Sequence, residues 1–260
     1  MPAKLKTVKT PSVRDRVGKD EWQMRVDLAA AYQLAALYRW TDQIYTHFSA
    51  RVPGTDDFLI NAYGLMFDEI TASNLVRIDH HGKVIDDPSG MGYNEAGFVI
   101  HGCVHEARPE INCVIHTHTR AGVAVSAMKC GLLPISQHAM RVQADVTYHD
   151  YEGIALDLDE RTRLARDLGP TSKSMILRNH GLLALGDTVR EAFEIMYYLD
   201  CACQIQIDAL AGGMDNVIQM SRQAAATAAE QFSRPDRPSS RKDWPALLRM
   251  LERRGINYRD

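Results

Sequence analysis

The chain has 260 residues, of which 45% are hydrophobic and 24% charged, a balance typical of a globular protein with one sizeable core. The formal net charge is −3, but residues 1–20 and 234–260 each carry +4, which leaves −11 on the body between them. Basic ends on an acidic body argue against a nucleic-acid-binding core, and they are typical of arms that are solvated or that pack on a neighbouring subunit.

Targeting signals and disulfides are not indicated. No apolar run approaches the length of a membrane span, and the N-terminal stretch lacks the apolar core of a secretion signal. The sequence therefore predicts a cytoplasmic protein with no membrane partner. The five cysteines form neither CxxC pairs nor a disulfide-rich pattern, so all five are predicted to be reduced.

The first half of the chain mixes helices with short strands. Residues 1–19 have little apolar periodicity and predict a flexible basic arm, and an amphipathic helix is expected from Asp20 to about Trp40. Four strand candidates follow, at Ile44–Val52, Phe58–Asn61, Leu75–Asp79 and Lys83–Asp86. The last two flank His80-His81-Gly82 and predict a hairpin. A helix is expected over Glu95–Ala107, closed by Arg108-Pro109.

The second half repeats this mixture. The expected strands are Asn112–His116, the weaker Leu132–Ile135 and Thr147–Tyr148, then Ser174–Arg178 and Leu182–Leu185. One helix is expected to begin at Arg120, and four more are expected over Asp159–Leu168, Thr188–Leu210, 216–231 and Trp244–Arg254. A linker is expected at 233–240. We assign residues 20–215 to one principal domain and residues 216–260 to a C-terminal helical extension.

This order of elements predicts the fold class. Strands that pair in antiparallel fashion, with helices before, between and after them, favour an α/β fold with one mixed, mostly antiparallel sheet covered on both faces. No Gly-rich phosphate loop follows any predicted strand, which argues against a nucleotide-binding layout.

The most informative stretch is Cys113-Val-Ile-His-Thr-His-Thr119, which has two histidines one residue apart at the end of an apolar run. Side chains two apart on a strand project from the same face, so His116 and His118 point the same way and can meet on one metal ion. The alternative is that two buried histidines are only hydrogen-bonded to their surroundings.

A third candidate ligand is His180, which lies between Asn179 and Gly181 after an apolar strand. A catalytic metal usually takes three protein ligands and keeps one position open. The turn lets the imidazole leave the plane of the strand, and glycine permits a close approach of the backbone. His180 lies 62 residues after His118, so only the fold can bring the two together.

At this point the sequence resembles the class II aldolase/adducin family. The resemblance is carried by Arg108-Pro-Glu-Ile-Asn-Cys-Val-Ile-His-Thr-His118 and by Arg178-Asn-His-Gly-Leu-Leu-Ala-Leu-Gly186. It implies a three-layer αβα protein, often a homotetramer, with a metal site near a subunit interface. It also implies that His116, His118 and His180 hold a divalent metal, zinc in the family's sugar-phosphate aldolases, with Fe²⁺ or Mn²⁺ as other possibilities.

The sequence departs from the family pattern where the family's aldolases carry their catalytic carboxylate. The family's Ser-Ser-Glu motif corresponds here to Tyr93-Asn94 followed by Glu95, and alignment on His101 places Gly97 at the carboxylate position. Glu95 is therefore a candidate acid/base that lies two residues early, about 200° around a helix from position 97. The alternative is a helix-start carboxylate that complements the helix dipole.

The phosphate-binding pattern of the family is also altered. The family's Gly-Asn-x-Ser-x-Arg turn becomes Thr46-His-Phe-Ser-Ala-Arg51, in which His47 replaces the amide. The resemblance assigns substrate binding to Asn61, Gly64 and Asn94, but these residues do not form a set of donors suited to a phosphate dianion.

Three other groups are candidates from the residues alone. His101 and His105 have the i, i+4 spacing that can bind metal, although a structural role is favoured because no glutamate lies between them in the protease arrangement. The segment His149-Asp-Tyr151 could reach a substrate at the metal. Tyr258 is either part of a neighbouring subunit's site or an exposed tail residue.

The sequence leads to two hypotheses of different classes. The first is a metal-dependent lyase of the class II aldolase type, acting on a small hydroxy-carbonyl substrate that is not a simple sugar phosphate. A non-haem iron oxygenase on the same fold is a variant of it. The second is a non-catalytic, adducin-like binding module of the cytoskeletal kind.

Overall fold

The computed structural model describes residues 12–153, 158–233 and 242–260. Over these residues, eight strands form one sheet and helices cover both of its faces. The strands are β1 (His47–Arg51), β2 (Phe58–Ile60), β3 (Val76–Ile78), β4 (Val84–Asp86), β5 (Cys113–Thr117), β6 (Val146–His149), β7 (Ser174–Leu177) and β8 (Gly181–Gly186). The helices are α1 (Val13–Arg16), α2 (Lys19–Leu37), α3 (Glu95–Ala107), α4 (Arg120–Ser126), α5 (Leu158–Leu168), α6 (Val189–Leu210), α7 (Arg222–Ser233) and α8 (Asp243–Arg253).

The sheet has the strand order β4-β3-β2-β1-β5-β8-β7-β6. All neighbours are antiparallel except β6 and β7, which confirms the predicted α/β class with a mixed, mostly antiparallel sheet. β5 lies at the centre between β1 and β8. Because both neighbours run antiparallel to it, its C-terminal end meets the start of β1 at His47 and the start of β8 at Leu182.

Alternation along the strands divides the core into two clusters. Ile115 and Ala184 project to one face, where residues of α2, α6 and α8 pack on them. Val114 and Leu183 project to the other face, where α3 and α5 supply the contacts. The protein therefore has the three layers that the sequence predicted, and each strand residue near β5 can be assigned to a face by its parity.

The predicted strand at Leu132–Ile135 is wrong. Over these residues the chain forms bends, and Pro134 has no backbone N–H to give to a sheet. The preceding N–H of Leu133 donates instead to the carboxamide oxygen of Gln206 on α6, at 2.7 Å. An apolar run alone did not distinguish a strand from a segment that is tied to a helix by side-chain hydrogen bonds.

The two ends of the chain differ from the simple picture of arms. Residues 1–11 of the predicted flexible arm lie outside the described part, but within the arm Ser12 caps α1 and Val13 is buried. In the predicted C-terminal extension, Trp244, Leu251 and Tyr258 are buried in the same core cluster as α2 and α6. Tyr258 is thus neither an exposed tail residue nor free to enter a neighbouring site.

Two helix boundaries also differ from prediction. α2 begins at Lys19 with Gly18 as its N-cap, and the helix expected over 216–231 covers Arg222–Ser233. None of the helices in the described ranges combines the length and the apolar character needed to cross a membrane.

Candidate metal centre

The fold brings His116, His118 and His180 together at the end of β5. The three ring centroids are separated by 4.7, 4.8 and 4.9 Å, and one nitrogen of each ring lies within 4.8 Å of the others. This is the one group of metal-ligating side chains found among the described residues. Two parts of the chain that are distant in sequence thus supply three imidazoles to one point, as a metal site requires.

Hydrogen bonds fix which nitrogen of His116 and of His118 is free. His116 Nδ1 donates to the carbonyl oxygen of Leu182 at 3.0 Å, because a carbonyl can only accept. His118 Nδ1 lies 2.9 Å from a carboxylate oxygen of Asp42 and donates to it in the same way. When neutral, both rings therefore carry their proton on Nδ1 and leave Nε2 as an unprotonated acceptor.

The two free nitrogens face each other. His116 Nε2 lies 2.9 Å from His118 Nε2, a hydrogen-bonding distance at which neither neutral ring has a hydrogen to donate. Two lone pairs at this distance repel unless a cation lies between them. The donor set therefore fits a divalent metal, with a carbonyl and a carboxylate holding the ligands from behind, as outer partners of metal-bound histidines commonly do.

His180 reaches the cluster through an unusual turn between β7 and β8. Asn179 has φ of +56°, a left-handed conformation that asparagine tolerates better than most residues. At Gly181, an added Cβ would overlap the carbonyl oxygen of Thr117 and contact the rings of His118 and His116. The Asn-His-Gly sequence is therefore explained by geometry: Asn179 turns the chain, His180 supplies a ring to the cluster, and Gly181 lets the two strands approach.

Burial keeps His116 and His180 neutral. Desolvation and the neighbouring histidines hold the pKa of His116 well below its usual value. Desolvation, with a contribution from His118, lowers the pKa of His180 to about 4. Neutral imidazoles are the form that binds metal, so these two ligands need lose no proton at neutral pH.

Asp42 is a site residue that sequence reasoning missed. It lies in a short connection between α2 and β1 in which Arg39 has φ of +60° and Gln43 has φ of +49°. The carboxylate is 76 residues from its partner His118 and about half exposed, with 47% of its side chain accessible. No local pattern pairs the two residues.

A second group of histidines lies beside the metal centre, on the face covered by α3. His47, Ser49 and Arg51 alternate on β1, whereas His101 and His105 lie one turn apart on α3. His47 Nδ1 is 2.9 Å from His101 Nε2, and the hydroxyl of Ser49 lies 2.7 Å from His101 Nδ1 and 2.9 Å from His105 Nε2. We call His47, His101, Ser49 and His105 the histidine chain.

The histidine chain touches the cluster through His47. This residue is the strand partner of His116, and their ring centroids are 5.1 Å apart. On its other side, the His47 ring occupies the space where a side chain at Gly97 would lie, because an added Cβ there would overlap three ring atoms. Gly97, His101 and His105 recur at every fourth position of α3, and His47, Ser49 and Arg51 recur at every second position of β1. Both spacings are about 6 to 7 Å, so the side chains of the helix pack against those of the strand in register.

The remaining predicted site residues lie at different depths. Glu95 is exposed in the first turn of α3 and does not belong to the grouped ligands, and Asn94 is the N-cap residue of that helix. Asn61 is buried, and its side-chain oxygen accepts a hydrogen bond from Tyr32 at 2.8 Å, which gives it a packing role. Gly64 lies in a turn with φ of +113°.

The segment 149–151 flanks His180. The ring of Tyr151 lies 6.3 Å from that of His180, and Tyr151 is 55% exposed. His149 is buried instead and its Nδ1 donates to Asp167 at 2.8 Å. Of the two aromatic residues in this segment, the tyrosine is the one that faces the ligands.

Comparison with known proteins agrees with this geometry. Residues 26–207 match the family described as the class II aldolase and adducin N-terminal domain. A Pseudomonas aeruginosa protein, provisionally named as an aldolase class 2 protein, is 48% identical over 251 residues, 95% of this chain and 96% of that protein. Mouse α-adducin is 44% identical over 93% of this chain, which spans only 35% of the adducin.

Solved structures give the same result. A crystal structure of an aldolase II superfamily protein from Pseudomonas syringae shares 56% identity with a TM-score of 0.92, covering 95% of this chain and 99% of that one. The L-fuculose 1-phosphate aldolase of Glaciozyma antarctica shares 26% identity with a TM-score of 0.79, covering 97% of each chain. The chain belongs to the class II aldolase/adducin family.

Proposed function

We propose that the protein is a metal-dependent lyase of the class II aldolase type that acts on a small hydroxy-carbonyl substrate. The observation that supports this most directly is the pair of Nε2 atoms on His116 and His118, 2.9 Å apart with both Nδ1 protons committed elsewhere. A binding module needs no such arrangement. His180 adds a third nitrogen to this pair, and three protein ligands are the number that a catalytic metal site usually has.

The metal in this proposal is a divalent ion, with zinc as the first choice. His116, His118 and His180 would hold it, and three imidazoles also suit Fe²⁺ or Mn²⁺. When bound, the ion supplies Lewis-acid chemistry, polarising a carbonyl so that an adjacent carbon–carbon or carbon–hydrogen bond breaks more readily. The protein's own part is to set the tautomers: Leu182 and Asp42 orient two ligands before any ion arrives.

The surroundings favour a neutral substrate over a sugar phosphate. Asp42 places a carboxylate directly behind His118, and a phosphate dianion nearby would be repelled by it. Desolvation and the neighbouring His118 and His180 lower the pKa of His47 to about 3, so this ring offers no positive charge. The likeness to an L-fuculose 1-phosphate aldolase therefore supports the reaction type more than the phosphorylated substrate.

The proton transfer is assigned to Glu95 or to a residue of a neighbouring subunit. Glu95 is exposed at the start of α3, where a moderate movement or a second subunit would decide its distance from the substrate. Family resemblance favours a homotetramer. Light scattering at micromolar concentration is expected to give four times the mass of one chain, 29.2 kDa.

Metal content tests the proposal directly. Protein purified without added metal is expected to contain close to one equivalent of a divalent ion per chain by elemental analysis. His118→Ala is expected to lose most of it, since removal of one of three ligands leaves an incomplete site. The matched control is His81→Ala, which removes an exposed histidine at the β3–β4 hairpin.

The same preparations serve for activity. Metal-loaded protein is screened for aldol cleavage of unphosphorylated hydroxy-carbonyl compounds, with the phosphorylated analogues run in parallel. A folded wild type that contains no metal and takes up none would refute the lyase. Metal binding with O₂-dependent turnover in place of cleavage would identify the iron oxygenase variant instead.

A second candidate is a non-catalytic, adducin-like module. It is favoured by the 44% identity to mouse α-adducin over nearly the whole chain, together with glycine at position 97 and an exposed Glu95. Co-sedimentation with actin filaments, measured alongside metal content, distinguishes the two. Binding to filaments by a metal-free protein supports the module.

A further inference from the structure

Asp200 is a buried carboxylate of α6, 1% exposed, to which three side chains donate hydrogen bonds. Its Oδ2 accepts from Trp40 Nε1 at 2.9 Å and from Gln204 Nε2 at 2.6 Å. Thr119 supplies the third bond. Desolvation raises the pKa of Asp200, and the three hydrogen bonds oppose that shift. Since Gln204 belongs to the same helix, the carboxylate joins α6 to two other segments of the chain.

These two segments are the ones that meet in the outer hydrogen bond of the metal centre. Trp40 lies two residues before Asp42, and Thr119 directly follows His118. The 2.9 Å bond between His118 Nδ1 and the Asp42 carboxylate forms only when the two segments are held at one separation. Asp200 bonds to both segments, one or two residues away from the paired side chains.

The connection between α2 and β1 turns sharply on both sides of Trp40. Arg39 has φ of +60° and Gln43 has φ of +49°, in a left-handed region that residues with a side chain seldom adopt. Trp40 itself is 2% exposed, and its ring centroid lies 5.0 Å from that of Phe193 on α6. The indole is therefore the buried anchor of this connection, and its single N–H is used by Asp200.

Thr119 attaches the same carboxylate to the end of β5. Its hydroxyl oxygen accepts a hydrogen bond from the backbone N–H of Gly122 at 3.2 Å, which caps α4. The hydroxyl hydrogen is left for an acceptor, and Asp200 is that acceptor. The side chain of Thr119 is thus tied to α4 and to α6 at once, which fixes the backbone directly after His118.

We propose that Asp200 is a positioning residue of the metal centre. By holding the two segments in place, it sets the distance at which Asp42 accepts the proton of His118 Nδ1. Asp200 does not belong to the group of metal-ligating side chains, so it acts through Asp42 and not on the ion. The inference rests on the proposed function in one respect, namely that the three-histidine cluster binds a divalent ion.

The first measurement is zinc affinity, in a competition with a chromophoric chelator. Asp200→Ala is expected to lower the affinity about tenfold, as loss of an outer partner does. Asp200→Asn keeps an oxygen acceptor for the indole N–H and is expected to restore most of the affinity. The matched control is Gln206→Ala, which removes a fully buried polar side chain of the same helix that bonds to Gly131 and Leu133 instead, and it should leave the affinity unchanged.

A double-mutant cycle separates positioning from a general effect on folding. If Asp200 acts through Asp42, the double variant Asp42→Ala/Asp200→Ala loses no more zinc affinity than Asp42→Ala alone. Losses that multiply would show that the two residues act independently and would overturn the proposal. An equal loss in Gln206→Ala would overturn it as well, because any buried polar group of α6 would then have the same effect.

The last measurement uses neither metal nor substrate, so it can succeed even when the lyase proposal fails. Histidine-selective ¹⁵N NMR of the metal-free wild type at pH 8, where an ordinary imidazole is neutral, is expected to show His118 protonated at Nδ1. Asp200→Ala is expected to give a mixture of both tautomers, and a folded variant with the wild-type spectrum would refute the positioning role. If Asp200→Ala does not fold, Trp40→Phe, which keeps a buried ring and loses the donor, replaces it in all three measurements.

Discussion

The three-histidine cluster and the histidine chain lie side by side on the sheet, and they use the same residue type in opposite ways. In the cluster, the Nδ1 protons of His116 and His118 go outward to a carbonyl and a carboxylate, so the Nε2 atoms converge. In the histidine chain, Nδ1 of His47 and Nδ1 of His101 face the next member, and only Nδ1 of His105 faces a backbone carbonyl, that of Ile111. The two groups therefore differ in their Nε2 atoms, which converge on one point in the cluster and face Nδ1 or hydroxyl groups inside the chain.

The two groups also differ in how their hydrogen bonds are satisfied, and therefore in how much a bound cation would stabilise them. The members of the chain bond to one another and, at His105, to the carbonyl oxygen of Ile111, and they are at most 4% exposed. In the cluster, Nε2 of His116 and Nε2 of His118 face each other at 2.9 Å while both Nδ1 atoms are bonded elsewhere. We expect a bound cation to stabilise the cluster strongly and to have little effect on the chain. Perturbations can be chosen that act on both groups, on the cluster alone, or on the chain alone.

Acid acts on both groups and gives the largest expected effect. The lowered pKa values of five buried histidines mean that, below the unfolded pKa of about 6.5, the unfolded state takes up protons before the folded state does. The affected residues are His47, His101, His105, His116 and His180. Stability is therefore full above pH 6.5 and falls by up to about 1.4 kcal/mol per histidine per pH unit as pH decreases towards about 4.

Five such groups can remove about 7 kcal/mol per pH unit, which compares with a typical total stability of about 5 to 15 kcal/mol. The metal-free protein is expected to be unfolded by about pH 4.5, as measured by urea titrations followed by circular dichroism. The exposed His81→Gln should behave as the wild type. A free energy of unfolding that stays constant between pH 7 and 5 would contradict the neutral, buried state of both groups.

Much of the fold, and the common face of His116 and His118, were predictable from local sequence. Period-two alternation placed His116 and His118 on one face, and the boundaries Glu95–Ala107 and Leu182–Leu185 were close to those of α3 and β8. These features depend on neighbours within a few residues, where periodicity is informative. The failure at 132–135 was also local, since Pro134 and a distant glutamine outweighed an apolar run.

The chain was not predictable because its bonds join residues more than 50 positions apart. His101 and His105 appeared only as an i, i+4 pair, and His47 only as an altered family position. Side chains at every second position of β1 and at every fourth position of α3 are spaced almost equally along their elements, so the two rows can face each other. The sequence alone does not indicate that this strand and this helix are neighbours. Asp42 gave no signal at all, since a single acidic residue in a connection resembles any other.

Removing Asp42 acts on the cluster alone and gives an intermediate effect. Asp42→Ala takes away the acceptor that holds the proton of His118 on Nδ1, so the ligand tautomer becomes a mixture. Loss of such an outer partner typically lowers metal affinity 10- to 100-fold, and we expect this range in a competition with a chromophoric chelator.

The control for this prediction is Asp215→Ala, an exposed carboxylate in the turn after α6. The histidine chain should be untouched, so the ¹⁵N signals of His47 should match those of the wild type in both variants. Unchanged metal affinity in Asp42→Ala would show that the position of His118 is fixed by packing and not by its hydrogen bond.

Placing a methyl group at Gly97 acts on the chain alone and gives the smallest effect. Alanine is favoured over glycine inside a helix by about 1 kcal/mol. Gly212→Ala, in the turn after α6 where an added Cβ meets open space, is the control for a glycine substitution without a clash. In Gly97→Ala the new Cβ overlaps the buried ring of His47, and overpacking of this kind costs about 1 to 3 kcal/mol. A net loss of about 1 to 2 kcal/mol in urea unfolding is expected. Metal content should stay at the wild-type level, because none of the three cluster histidines is displaced. A variant that gained stability would mean that the ring of His47 moves away from the new methyl group at little cost, and that the histidine chain does not hold it in place.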